Sequence, residues 1–135
     1  MNETHEALPL IVIALQNQQA GRLDDTEALC RLILEAEPGH ADALHLLGVV
    51  AYQRGNADEA VKLISRALAL APTFAEAHVN LGSAQQALGK LDAAVRSFRR
   101  AIELRPDMAV AHYNLGNVLR LQGKDRDAVG CYLLA

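Results

Sequence analysis

The chain has 135 residues, of which 51% are apolar and 21% charged, with a formal net charge of −3. That length suits one ordinary domain or a short repeat array, and the composition excludes an intrinsically disordered chain. The cations are scattered rather than gathered into a stripe, which argues against a nucleic-acid partner. Abundant Ala and Leu, with no Trp, favour helices.

The first apolar stretch is Leu10-Ile11-Val12-Ile13-Ala14-Leu15, preceded by the acidic Met1-Asn2-Glu3-Thr4-His5-Glu6. A secretory leader begins with basic residues, and crossing a bilayer takes about 20 apolar residues. The run therefore reads as a core helix, with no membrane partner expected. Beyond it the chain repeats itself. Gly21, Gly55, Gly89 and Gly123 step by 34 residues, as do Pro38, Pro72 and Pro106. Gly48, Gly82 and Gly116 keep the same period, and so do Ala60, Ala94 and Ala128, and then Ala67, Ala101 and Ala135.

Each column has a physical reading. Every period contains two apolar-periodic stretches of about 14 residues, split near the middle by a glycine. Gly55, Gly89 and Gly123 each follow an apolar run, where a left-handed residue ends a helix without a Cβ penalty. Asp58, Asp92 and Asp125 then open the next helix, where an acid suits the positive end of the helix dipole. Pro38, Pro72 and Pro106 forbid continuation of the second helix. Gly48, Gly82 and Gly116 fall inside helices, where glycine costs about 1 kcal/mol against Ala. That repeated cost implies close approach of the two helices of a hairpin, with Ala60, Ala94 and Ala128 as the facing small residues.

With these columns in place, the chain resembles the tetratricopeptide repeat family. The second unit carries Leu44, Leu47-Gly48, Ala60, Ile64, Ala67 and Pro72; the third carries His78, Leu81-Gly82, Ala94, Phe98, Ala101 and Pro106. The fourth carries His112, Leu115-Gly116, Ala128, Tyr132 and Ala135, and the first is degenerate, with Ile13-Ala14, Thr26, Cys30, Ile33 and Pro38. The resemblance covers Ala7 to Ala135 and departs from the family pattern in the missing Trp-like residue of the third and fourth units and the missing mid-helix Tyr of most units. It implies an all-α fold, a right-handed α-solenoid of stacked antiparallel helix pairs. The expected units are 7–40, 41–74, 75–108 and 109–135, the last truncated. Each hairpin buries its apolar face on its neighbours.

In this family the first helix of each unit lines a concave face. The matching positions here are His45, Leu46, Val49 and Tyr52; then Glu76, Val79, Asn80, Ser83 and Gln86; then Val110, Tyr113, Asn114, Asn117 and Arg120. From these, the expected peptide-binding set is His45, Val49, Tyr52, Asn80, Ser83, Tyr113, Asn114, Asn117 and Arg120. Asn80 and Asn114 stand one period apart, and an amide offers both a donor and an acceptor to a peptide group. The pair resembles the asparagine ladder of O-linked N-acetylglucosamine transferase. The alternative is that both side chains brace adjacent turns. The positions at which the family's chaperone-tail receptors carry a cationic carboxylate clamp hold Ile11, Leu15, Leu46, Glu76 and Asn80, so no clamp is expected.

The chain ends offer a second kind of surface. Ile11, Val12 and Leu15 at one end, and Val129, Tyr132 and Leu133 at the other, are expected to be open apolar faces that support self-association into a homo-oligomer. Cys30 and Cys131 form no CxxC pair or ligand cluster, which suits a reducing, cytoplasmic setting. His78 and His112 share a column, and with His40 and His45 they read as satisfied side chains rather than metal ligands. Asp24, Asp25, Asp58 and Glu59 fall at helix starts, and no Gly-rich phosphate loop, G-x-S-x-G or H-E-x-x-H occurs. No enzyme, metal or cofactor is expected. The expected function is a protein-interaction scaffold holding an extended peptide or helix. The alternatives are an assembly module, or the substrate-recruiting repeats of a longer protein resembling bacterial glycosyltransferases or sulfotransferases.

Overall fold

The computed structural model describes residues 9–135. The acidic stretch Met1–Glu6 and the expected start of the first unit at Ala7 lie outside them. The described residues form eight helices and no strand: α1 (Leu10–Gln19), α2 (Leu23–Ala36), α3 (Ala41–Gln53), α4 (Ala57–Leu70), α5 (Ala75–Ala87), α6 (Leu91–Leu104), α7 (Ala109–Leu121) and α8 (Asp125–Leu134). Consecutive helices pack as the pairs α1–α2, α3–α4, α5–α6 and α7–α8, and each pair packs on the next.

The turn columns do what their residue types require. Gly21, Gly55, Gly89 and Gly123 all sit at positive φ, between 76° and 83°, and end the first helix of each pair in the left-handed conformation. The amide of the following residue then turns back onto a helix carbonyl, as Asn56 does to Ala51 and Lys90 to Gln85. Asp58, Asp92 and Asp125 lie in the first turns of α4, α6 and α8. At α4 the cap itself is Asn56, whose side chain accepts from the Glu59 amide at 3.3 Å. His40 caps α3 in the same way, its Nδ1 accepting from the Ala43 amide at 3.1 Å.

The helix-interior glycines mark the close approach of the two helices of a pair, as the sequence suggests. A Cβ on Gly48 would lie 2.6 Å from Ile64 Cγ1, one on Gly82 2.7 Å from Phe98 Cε1, and one on Gly116 2.7 Å from Tyr132 Cε1. Each glycine is thus a notch into which the large side chain of the second helix fits. Ala60, Ala94 and Ala128 are buried one turn earlier. Phe98 is fully buried, in one cluster with Val79 of α5 and Ala111, Leu115 and Val118 of α7. A second cluster joins α1 to α4 through Ala14, Cys30, Leu44 and Leu63, and a third joins α4 to α5 through Ile64 and Ala77, so buried packing passes from each pair to the next, the arrangement a single hairpin cannot supply.

Curvature follows from which helices touch. The first helices of successive pairs meet (α1 with α3, α3 with α5, α5 with α7), while among the described residues no second helix reaches the next second helix. The stack therefore bends toward the first-helix side, and that side is concave.

Candidate functional site

On the concave side a groove of about 590 Å³ runs across α1, α3 and α5. Ile11, Val12 and Leu15 of α1 form one wall, and Leu46 and Val49 of α3 continue it. Asp42 and Glu76 stand at its mouth, with Gln18 and Gln19 at the α1 edge.

The floor is a polar pair held in an apolar frame. His45 is 9% exposed, and its ring meets that of Phe74 edge-on at a centroid separation of 4.6 Å. Burial pushes the imidazole down to about 4, against a smaller upward influence from Asp42, so at neutral pH the ring is uncharged. The Asn80 side-chain amide donates to His45 Nε2 at 2.8 Å. One arm of Asn80 is thereby committed inside the molecule, and its carbonyl oxygen is the arm left for a ligand.

The structure divides the expected peptide-binding residues into three groups. His45, Val49 and Asn80 line the groove. Tyr113, Asn117 and Arg120 belong to a second cluster around Tyr132, beyond that groove. The Tyr132 hydroxyl donates to Asn117 Oδ1 at 2.6 Å and receives Arg120 Nε at 3.4 Å. Its ring lies 5.8 Å from that of Tyr113. Tyr132 is therefore not part of an open end face: its ring fills the Gly116 notch, as Phe98 fills that of Gly82. Tyr52, Ser83 and Asn114 lie on α3, α5 and α7 but do not line the groove. Ile11, Val12 and Leu15, expected at an open end, line the groove as one wall on the end helix α1. Val129 and Leu133 do stand exposed on α8, at 55% and 80%.

Asp42, Phe74, Gln18 and Gln19 complete the groove without having been anticipated. The period contained the signal for two of them. Asp42 is 34 residues before Glu76, and Gln18 is 34 before Tyr52. The other polar groups are engaged elsewhere. His78 and His112 donate from Nε2 to the carbonyls of Pro72 and Pro106 at 2.9 and 2.8 Å, tying each first helix to the turn before it. Arg54 pairs with Asp24 and Glu27 across the first two helix pairs. Among the described residues no three His, Cys, Asp or Glu side chains are arranged to hold a metal ion. No helix among them is long and apolar enough to cross a membrane.

A tetratricopeptide repeat family model matches residues 18–84 and 51–100, and a second TPR repeat model matches 87–123. The chain belongs to the tetratricopeptide repeat family. Among solved structures, this tetratricopeptide chain is similar to MamA at 29% identity and a TM-score of 0.81, covering 90% of this chain and 71% of that one. MamA from Desulfovibrio magneticus RS-1 shares the fold at 21% identity and a TM-score of 0.83, over 93% and 71% of the two chains. The Thermobaculum terrenum O-GlcNAc transferase is similar at 37% identity and a TM-score of 0.80, over 82% of this tetratricopeptide chain but only 21% of the transferase. No curated protein matches the chain.

Proposed function

We propose that the chain is a non-catalytic protein-interaction scaffold whose groove across α1, α3 and α5 receives an extended peptide or helix of a partner. The observation that carries this reading is the construction of the groove: a fixed floor of Phe74, His45 and Asn80 beneath apolar walls from two helices. First helices about 10 Å apart give a span of roughly 20 Å, enough for about six extended residues. A cytoplasmic setting agrees with the two unpaired thiols, Cys30 and Cys131.

Selection from a random dodecapeptide phage library tests it, with the chain and its Val49→Glu variant as baits. Val49 is half-buried at the groove surface, so a carboxylate there blocks apolar side chains without entering the core. Clones recovered on the chain should lose at least about tenfold in affinity for the variant, equal to about 1.4 kcal/mol. Clones that bind both baits equally would overturn the reading.

A second reading, self-assembly through α8, has its own support. Val129 occupies the column of Val61 and Val95, which are half-buried against the core clusters, yet it is 55% exposed. Under this reading Leu133→Glu reduces the oligomer seen by light scattering and leaves peptide selection unchanged. The similarity to the transferase's repeats supports a third: that the groove recruits substrates for a catalytic domain in a longer chain.

A further inference from the structure

The groove has a polarity of charge that its apolar walls conceal. Its ionised side chains are Asp42 and Glu76, and no Lys or Arg lines it. Both carboxylates are exposed, and they occupy the same position on successive first helices, one period apart. Among the described residues neither joins an ion pair, whereas the carboxylates of Asp24, Glu27 and Glu103 all meet an arginine. The one other titratable group in the groove, His45, is neutral at pH 7 and brings no compensating charge. The remaining lining is aliphatic side chains, amides and the Phe74 ring.

We infer that the groove selects a peptide segment carrying Lys or Arg beside apolar side chains. This rests on the groove being a peptide site. The apolar residues lie against Ile11, Leu15 and Val49, while the cation reaches the mouth, where Asp42 and Glu76 are open to solvent. The two carboxylates sit about 10 Å apart by helix spacing, and an extended chain rises about 3.3 Å per residue. Two cations three residues apart therefore meet both acids at once. An acidic segment is rejected, because it would bring like charge to two carboxylates with nothing to neutralise it. The selectivity is the reverse of a cationic clamp for acidic tails. It follows from the side chains on this chain, since Ile11, Leu15 and Glu76 stand where such a clamp needs cations.

The dodecapeptide library reads this directly through the composition of the enriched clones. Lys and Arg should rise at least about threefold over the naive library, next to Leu, Ile, Val or Phe. Synthetic peptides of those clones should bind the Asp42→Asn, Glu76→Gln double variant about tenfold more weakly. Their affinity for the unmodified chain should also fall as NaCl rises from 50 to 500 mM, because exposed charges are screened. Circular dichroism melting of the double variant checks that it folds; if it melts early, the single Glu76→Gln variant, altered on an exposed side chain, carries the comparison. Enriched clones that lose affinity for Val49→Glu but show no cationic bias, or an acidic one, overturn the inference and leave the peptide site standing. No enrichment over Val49→Glu overturns both. A chain that scatters as a dimer at the panning concentration and enriches nothing identifies a second copy as the occupant, and likewise overturns the inference.

Discussion

His45 is the residue at which the fold and the groove meet. Its ring is 9% exposed and held near pKa 4 by burial, against an ordinary value of 6.5. Well above pH 6.5 neither the folded nor the unfolded chain protonates this side chain, and its neutral packing contributes in full. As pH falls from 6.5 toward 4 the unfolded chain takes up the proton first, so stability is lost across that window. At about 1.36 kcal/mol per unit, the loss by pH 5 is about 2 kcal/mol. Glu27, whose carboxyl is held below its usual range by Arg54 and then Arg31, begins to lose its contribution only below about pH 4.5. Urea denaturation at pH 7 and pH 5 should show this loss in the chain and a flatter response in His45→Gln. The sequence placed His45 and Asn80 on the concave face but gave no sign that they bond to each other. They are 35 residues apart, one more than the period. Columns compare residues at equal phase, and this bond joins neighbouring phases.

At the scale of the helix, one substitution should act with opposite sign at two glycines. In α5, Gly82→Ala places a Cβ 2.7 Å from the ring of Phe98, a side chain that is fully buried and has no room to retreat. Overpacking of this kind costs about 1–3 kcal/mol and outweighs the roughly 1 kcal/mol that Ala gains over Gly in a helix. In α8, a Cβ on Gly130 meets nothing within 4 Å, so Gly130→Ala should gain up to about 1 kcal/mol. Urea midpoints moving in opposite directions would confirm the pair. The contrast also shows why the turns were legible and the packing was not. A left-handed turn needs glycine at one place in the chain, and the period displays it at Gly55, Gly89 and Gly123. The partner of Gly82 depends on how α6 is rotated about its axis, which the period does not encode. Small residues marked Gly82 and Ala94 as the close approach of α5 and α6, but nothing in the period showed that Phe98, one turn beyond Ala94, fills the notch.

Across the whole molecule, stability should follow position in the stack, because each pair is held only by its neighbours. Helix α3 buries seven residues, while α1 buries only Ala14 and α8 only Ala128. Amide hydrogen exchange should therefore be slowest in α3 to α6 and at least about tenfold faster in α1 and α8, where opening needs little exposure of core. The end helices differ in what would quiet them. Ile11, Val12 and Leu15 make α1 a wall of the groove, whereas Val129, Leu133 and Leu134 of α8 face outward. A segment seated in the groove bridges α1 to α3 and α5, and adds to the cost of opening α1 without touching α8. Self-association through the exposed face of α8 does the reverse. Exchange measured with a selected peptide, and separately across a concentration series, should thus assign each binding event to its own end of the stack. Protection that rises in α8 on adding peptide, with α1 unchanged, would move the binding surface away from the groove.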